Sequence, residues 1–139
     1  MTRTFAILIL VLALTACSGK PALQEIAGGV TIEVPIEDID SYIPDTISMG
    51  AMNEGQVIKA EVTLHNTGGQ PVVIVSVITG CGCTTAKYDK NPILPDDRRS
   101  IEFQFDSKGR SGPQRKVIEI LTSGNVAIPV MLTGEVRRK

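Results

Sequence analysis

Gln56-Val57-Ile58-Lys59-Ala60-Glu61-Val62-Thr63-Leu64-His65-Asn66 decides the fold class. Ile58, Ala60, Val62 and Leu64 fall on one face. Val57, Lys59, Glu61, Thr63 and His65 fall on the other, mostly polar one. Successive side chains of a strand point to opposite faces, so this period of two predicts a strand with one buried face. The same pattern recurs on both sides of it. Val30-Thr31-Ile32-Glu33-Val34 alternates, and Ile47-Ser48-Met49 is a short strand ending at Gly50. Downstream, Asn66-Thr67-Gly68-Gly69-Gln70-Pro71 is a turn by composition. Val72 to Ile78 is an almost unbroken β-branched run, expected to be buried on both faces. Arg99 to Asp106 alternates with Ile101, Phe103 and Phe105 inward. A polar loop is expected over Asp106 to Pro113, and Lys116 to Thr122 and Val126 to Val136 are two further strands. Pro92, Pro95 and Pro113 fall in predicted connections, whereas Pro129 lies inside a strand and marks an edge or bulge. No helical apolar stripe follows a capping signal after the first sixteen residues. About seven to eight short strands with regular turn signals predict an all-β, immunoglobulin-like antiparallel β-sandwich.

Composition narrows the function classes. The 139 residues are 42% hydrophobic and 21% charged, with a net charge of -1. Such a balance offers no electrostatic footprint for nucleic acid. With 4% aromatic residues and no Trp, the core must be aliphatic, and stacking platforms for bases or sugars are lacking. A single His, no Gly-x-Ser-x-Gly and no Gly-rich strand-to-helix phosphate cradle argue against an enzyme.

The N-terminus carries an address. Arg3 precedes the apolar run Phe5 to Leu14, which is too short to cross a bilayer core of about 20 helical residues. It ends in Leu14-Thr15-Ala16-Cys17, which resembles the lipobox of bacterial lipoproteins. The resemblance implies that residues 1–16 are a signal peptide and that Cys17 is diacylated as the mature N-terminus. Ser18 then implies the outer membrane, facing the periplasm. Residues 17–29 read as the lipidated N-terminus and a tether closed by Gly28-Gly29, and residues 30–139 as one domain. The expected partners are the membrane, through the N-terminal acyl chains, and another envelope protein.

Three cysteines minus an acylated Cys17 leave Cys81 and Cys83, an even pair in an oxidising compartment. They sit in Gly80-Cys81-Gly82-Cys83-Thr84-Thr85, directly after the β-branched run. A disulfide needs Cα atoms about 4.4–6.8 Å apart. Residues i and i+2 of an extended strand sit near the upper limit, and a bend at Gly82 would close the gap. The ring is minimal, so such a bridge would be a redox element more than a staple. Reduced, two adjacent thiolates suit a soft ion such as Cu(I), with His65 as a conceivable third ligand. A closed zinc site would need a second Cys/His cluster, which is missing. The third reading is that both thiols are small apolar fillers at a strand end. Structural, redox and metal readings all remain open at this point.

The ordered set of motifs resembles a known family. Asn66-Thr67-Gly68, Pro71-Val72-Val73-Ile74, Cys81-Gly82-Cys83-Thr84, Pro95, then Phe103-x-Phe105-Asp106 with Gly109 and Gly112, and a closing Leu132-Thr133-Gly134-Glu135-Val136 resemble the DUF1573 family. That family is abundant as lipoproteins in Bacteroidetes-type bacteria, and its immunoglobulin-like domain is distantly similar to those of major sperm protein and Hydin. The resemblance covers roughly Gly50 to Val136. It implies the fold and the envelope location, and marks Asn66, Gly68, Gly82, Thr84, Gly109 and Gly112 as motif and turn positions. It assigns no activity. Two positions depart from the pattern: Asp96 where a Gly commonly follows the proline, and Gly80 where a Ser commonly precedes the first Cys. The expected function is a non-catalytic interaction module of the cell envelope. The alternative is Cu(I) binding or dithiol redox chemistry at Cys81 and Cys83.

Overall fold

Alternating apolar positions collapse into two sheets that share one core. The computed structural model describes residues 23–25, as backbone, and residues 29–138. The strands are β1 (Leu23–Glu25), β2 (Val30–Val34), β3 (Asp45–Asn53), β4 (Val57–Asn66), β5 (Ile74–Thr79), β6 (Thr84–Tyr88), β7 (Arg98–Asp106), β8 (Gly112–Thr122) and β9 (Val126–Arg137). One sheet runs β1-β4-β7-β6, with β2 also lying along β4 beyond β1. The other runs β3-β9-β8-β5. Among the described residues there is no helix. The fold is thus the expected sandwich, but its sheets are mixed: β1 and β2 pair with β4, and β3 with β9, in parallel. Strand β1 also lies inside the stretch read as a tether, and Cys17 lies outside the described residues.

Strand β4 is the axis. Its Ile58, Ala60, Val62 and Leu64 are all buried, as its period of two requires, and they lie opposite Phe105, Phe103, Ile101 and Arg99 of β7. Ile118 and Ile120 of β8 and Ile128, Val130 and Leu132 of β9 close the core from the other sheet. Burying one such side chain is worth about 1.5–3 kcal/mol relative to leaving it exposed, so this aliphatic layer holds the fold without Trp.

Three local expectations change. The Val72–Ile78 run is not buried on both faces. It opens with an isolated bridge from Val72 to Ile93 and becomes β5, an edge strand whose Val75 and Ile78 are 53% and 54% exposed. A continuous apolar run does not reveal whether a neighbour covers its second face. Pro113 belongs to β8, because Gly112, at φ 73°, turns the chain into the strand one residue earlier. Pro129 lies in β9, an interior strand, opposite Glu119 of β8. On its other side β3 begins only at the level of Val130, so the missing proline N–H is asked for nothing there. Asp96 adopts φ 65°, the left-handed conformation that a Gly would take most readily, and this is where the chain departs from the family pattern.

Candidate functional site

The segment from Gly80 to Thr84 carries the chain from the end of β5 in one sheet to the start of β6 in the other. Two backbone bonds fix this corner. Thr84 N–H donates to the Cys81 carbonyl at 3.3 Å, and Asp106 N–H donates to the Cys83 carbonyl at 2.8 Å. Within it Cys81 and Cys83 form a disulfide with their Cα atoms 5.2 Å apart. The bend draws the two residues well inside the spacing of an extended i, i+2 pair. Gly82 does not need its glycine freedom for this. Its φ is not left-handed, it is exposed, and a Cβ built there would meet no atom within 4 Å.

The two sulfurs differ in access: Cys83 is 8% exposed and joins the core, while Cys81 is half-buried. Thr84, itself buried, holds its hydroxyl 3.7 Å from Cys81 Sγ and 3.8 Å from Cys83 Sγ, within reach of either. Beside Cys83, the turn after β7 adds charge. Gly82, Cys83, Asp106, Lys108 and Arg110 line an open depression of about 250 Å³. Gly109, at φ 70°, reverses the chain between the two cations. Lys108 N–H donates to Asp106 Oδ1 at 2.9 Å, and Arg110 Nε is buried with no acceptor among the described residues.

The metal reading loses its third ligand. His65 pairs with Arg98 and Cys83 bonds to Asp106, so eight residues of β7 separate them, about 26 Å at the usual rise per residue. His65 instead places Nδ1 3.5 Å from Arg98 Nη2 on the outer face of its sheet. Among the described residues no three His, Cys, Asp or Glu side chains converge to hold a metal ion. A closed disulfide also offers no thiolate to Cu(I).

Asn66 and Gly68 sit at that same far end, and Asn66 does more than turn the chain. Fully buried, it donates from Nδ2 to the carbonyls of Gln70 at 2.8 Å and Ile93 at 2.9 Å, and accepts from Gly68 N–H at 3.0 Å. Gly68 is required for space: a Cβ there would lie 2.7 Å from Pro35 Cδ. These two residues tie three loops together and form no part of the cysteine corner. Arg99, at the start of β7, pairs with Asp89 at 3.3 Å.

The sequence motifs did not point to the feature that most distinguishes the second sheet. Val75, Ile78 and Val117 project to solvent around β5, and Leu121, Pro129 and Met131 are half-buried on the same outer face. A signal existed in β5 itself: six residues, Ile74-Val75-Ser76-Val77-Ile78-Thr79, with no charge and no proline.

Solved structures share the sandwich. A protein of unknown function from Porphyromonas gingivalis W83 is 21% identical with a TM-score of 0.58, over 66% of this chain and 44% of that one. The VesB protease of Vibrio cholerae is 10% identical with a TM-score of 0.56, over 66% of this chain and 30% of that one. A PapD-like domain of human CEP192 is 8% identical with a TM-score of 0.58, over 70% of this chain and 84% of that one. The chain therefore spans less than half the length of the first two, and at these identities the likeness is one of fold alone. No curated protein matches the chain. The model of a family described as protein of unknown function matches residues 42–136, from the loop before β3 almost to the end of β9, and the chain belongs to that family, DUF1573.

Proposed function

We propose that this protein is a lipid-anchored, periplasm-facing module of the cell envelope that binds another envelope protein without catalysing a reaction. The docking element in this reading is the free edge of β5, which takes up an extended segment of the partner as an added strand. One observation carries it. Among the described edge strands β2, β3, β5 and β6, β5 alone carries no charged residue, and its Val75 and Ile78 are more than half exposed, with Val117 of β8 46% exposed nearby.

Exposed edges invite pairing, and proteins blunt them with charges, bulges or prolines. The other edges here carry such devices. Strand β6 exposes Lys87, β3 is broken by a register shift at Gly50, and β2 runs directly into Pro35. The irregularity in β5 is confined to Ile74–Ser76 and leaves Ser76 to Thr79 in regular register with β8.

The lipid anchor rests on Leu14-Thr15-Ala16-Cys17. Two or more acyl chains give lasting attachment, at about 0.8 kcal/mol per buried methylene.

Fractionation and crosslinking in the native cell test both parts. Cys17→Ala is expected to move the protein out of the membrane fraction. Val75→Lys with Ile78→Lys is expected to abolish a crosslinked complex that Thr85→Lys, on the β6 edge, leaves intact. A complex indifferent to the β5 charges overturns the docking site, and a membrane-bound Cys17→Ala protein overturns the anchor.

A further inference from the structure

We propose that the Cys81–Cys83 disulfide is a thiol–disulfide exchange site that takes two electrons from thiols and favours those bearing negative charge. This role stands apart from docking at β5. A bridge that encloses one residue removes little freedom from the unfolded chain, so stabilising the fold does not account for it. Its location suits reaction. Gly82 is exposed and nothing lies within 4 Å of the place its side chain would occupy, which leaves the corner open to an incoming sulfur.

The environment makes the two sulfurs unequal. Half-buried Cys81 is the sulfur that can be attacked, and Cys83, which the core covers and the depression borders, is the leaving group. A leaving thiolate departs faster when its charge is stabilised. The Thr84 hydroxyl is within reach to donate to Cys83 Sγ, and Lys108 and Arg110 line the depression beside it. Two carboxylates partly offset these cations: Asp106 lines the depression and its Oδ1 already accepts from Lys108 N–H, and Glu54 Oε1 accepts from Gly109 N–H at 3.2 Å between them. Arg110 Nε is buried without an acceptor among the described residues, and it is the charge of the Arg110 guanidinium and of Lys108 that an incoming anion meets.

The exchange balances in two steps. A thiolate attacks Cys81 Sγ, the Cys81–Cys83 bond breaks, and Cys83 leaves as thiolate, giving a mixed disulfide on Cys81. A second thiolate attacks the incoming group's sulfur, Cys81 leaves as thiolate, and both cysteines take up protons. The two thiols are oxidised to one disulfide, and the protein disulfide is reduced to a dithiol.

The test uses the full chain with Cys17→Ser, so that Cys81 and Cys83 are the only sulfurs that exchange. Its reduction is followed by alkylation and mass measurement with mercaptoacetate and with cysteamine, at equal thiolate concentration. The mercaptoacetate-to-cysteamine rate ratio is expected to fall about fivefold in Lys108→Gln/Arg110→Gln, the effect of removing two nearby unit charges in a watery dielectric. The parent chain serves if that variant does not fold: its ratio is expected to fall by a similar factor between about 10 mM and about 1 M salt, where the Debye length shrinks from about 30 to 3 Å. A ratio unmoved by salt overturns the charged-thiol preference, and a bridge that resists both thiols until the protein unfolds overturns the exchange site.

Discussion

The two sheets are built on one plan inward and on opposite plans outward. Inward, both present aliphatic side chains to the same core, and β7 of the first adds Phe103 and Phe105. Outward, the sheet of β4, β7 and β6 is a polar lattice. Lys59 Nζ pairs with Glu102 Oε2 at 3.3 Å, Gln104 donates to Glu102 Oε1 at 3.0 Å, and Ser100 donates to Glu61 Oε1 at 3.1 Å. The sheet of β3, β9, β8 and β5 instead exposes Ile78 and Val117, with Leu121, Pro129 and Met131 half-covered around them. An antiparallel sheet with one face in water normally alternates apolar-in and polar-out. The first sheet obeys and the second does so only in part: Glu119 is exposed on this face opposite Ile78 and Pro129, and apolar side chains flank it. Core packing cannot be the reason for those apolar side chains, because the outer face lies outside the core. Exposed apolar surface of this kind is what the proposed docking face uses.

That contrast can be pressed at sites ordered by expected effect. Phe103, fully buried between Ala60 and Ala86 on the neighbouring strands, belongs to the inward plan. Phe103→Ala is expected to cost about 3–5 kcal/mol in a denaturant melt. A loss below about 1 kcal/mol would mean that the shared core is not what holds the sheets together. Ile78→Lys belongs to the outward plan of the second sheet. It is expected to change stability by less than about 0.5 kcal/mol. It is also expected to weaken partner binding by about 2 kcal/mol, roughly thirtyfold, as loss of an interface anchor does. Equal effects on folding and binding would erase the distinction between the faces.

The smallest effect falls on the polar lattice. The hydrogen bond from Gln104, and after it the one from Lys59, holds the Glu102 carboxyl below its ordinary value of 4.5. A carboxyl with a depressed folded-state pKa adds stability above its unfolded value and loses it as pH falls through the folded one. The difference in melting temperature between the parent and Glu102→Gln should therefore be small at pH 7 and vanish as the pH drops below 4.5. A difference that grows on acidification would contradict the assignment.

The inward plan was legible in the sequence because burial on one face imposes a period of two. Ile58, Ala60, Val62 and Leu64 could be placed by counting, and so could Ile101, Phe103 and Phe105. Neighbour relations were not legible. Whether Val75 and Ile78 are covered depends on which strand lies beside β5, and their own residues do not encode that. Parallel pairing of β2 and β3 was invisible for the same reason. At the cysteine corner, the short spacing of Cys81 and Cys83 allowed a bridge but did not decide between it, free thiols and a bound metal; the bend that closes the disulfide belongs to the fold. Lys108 and Arg110 were hidden, since only the fold brings the turn after β7 beside that bridge. His65 was misplaced by the converse error: nearness along the chain says little when strands run the length of the domain.

Site-specific photo-crosslinking in the intact envelope tests the docking claim most directly, with a photoreactive residue placed at Ile78 or at Thr85. A discrete protein adduct from position 78 and none from position 85 is the predicted result. Adducts from position 85 alone, or from neither position, would contradict the β5 edge as the face that a partner covers.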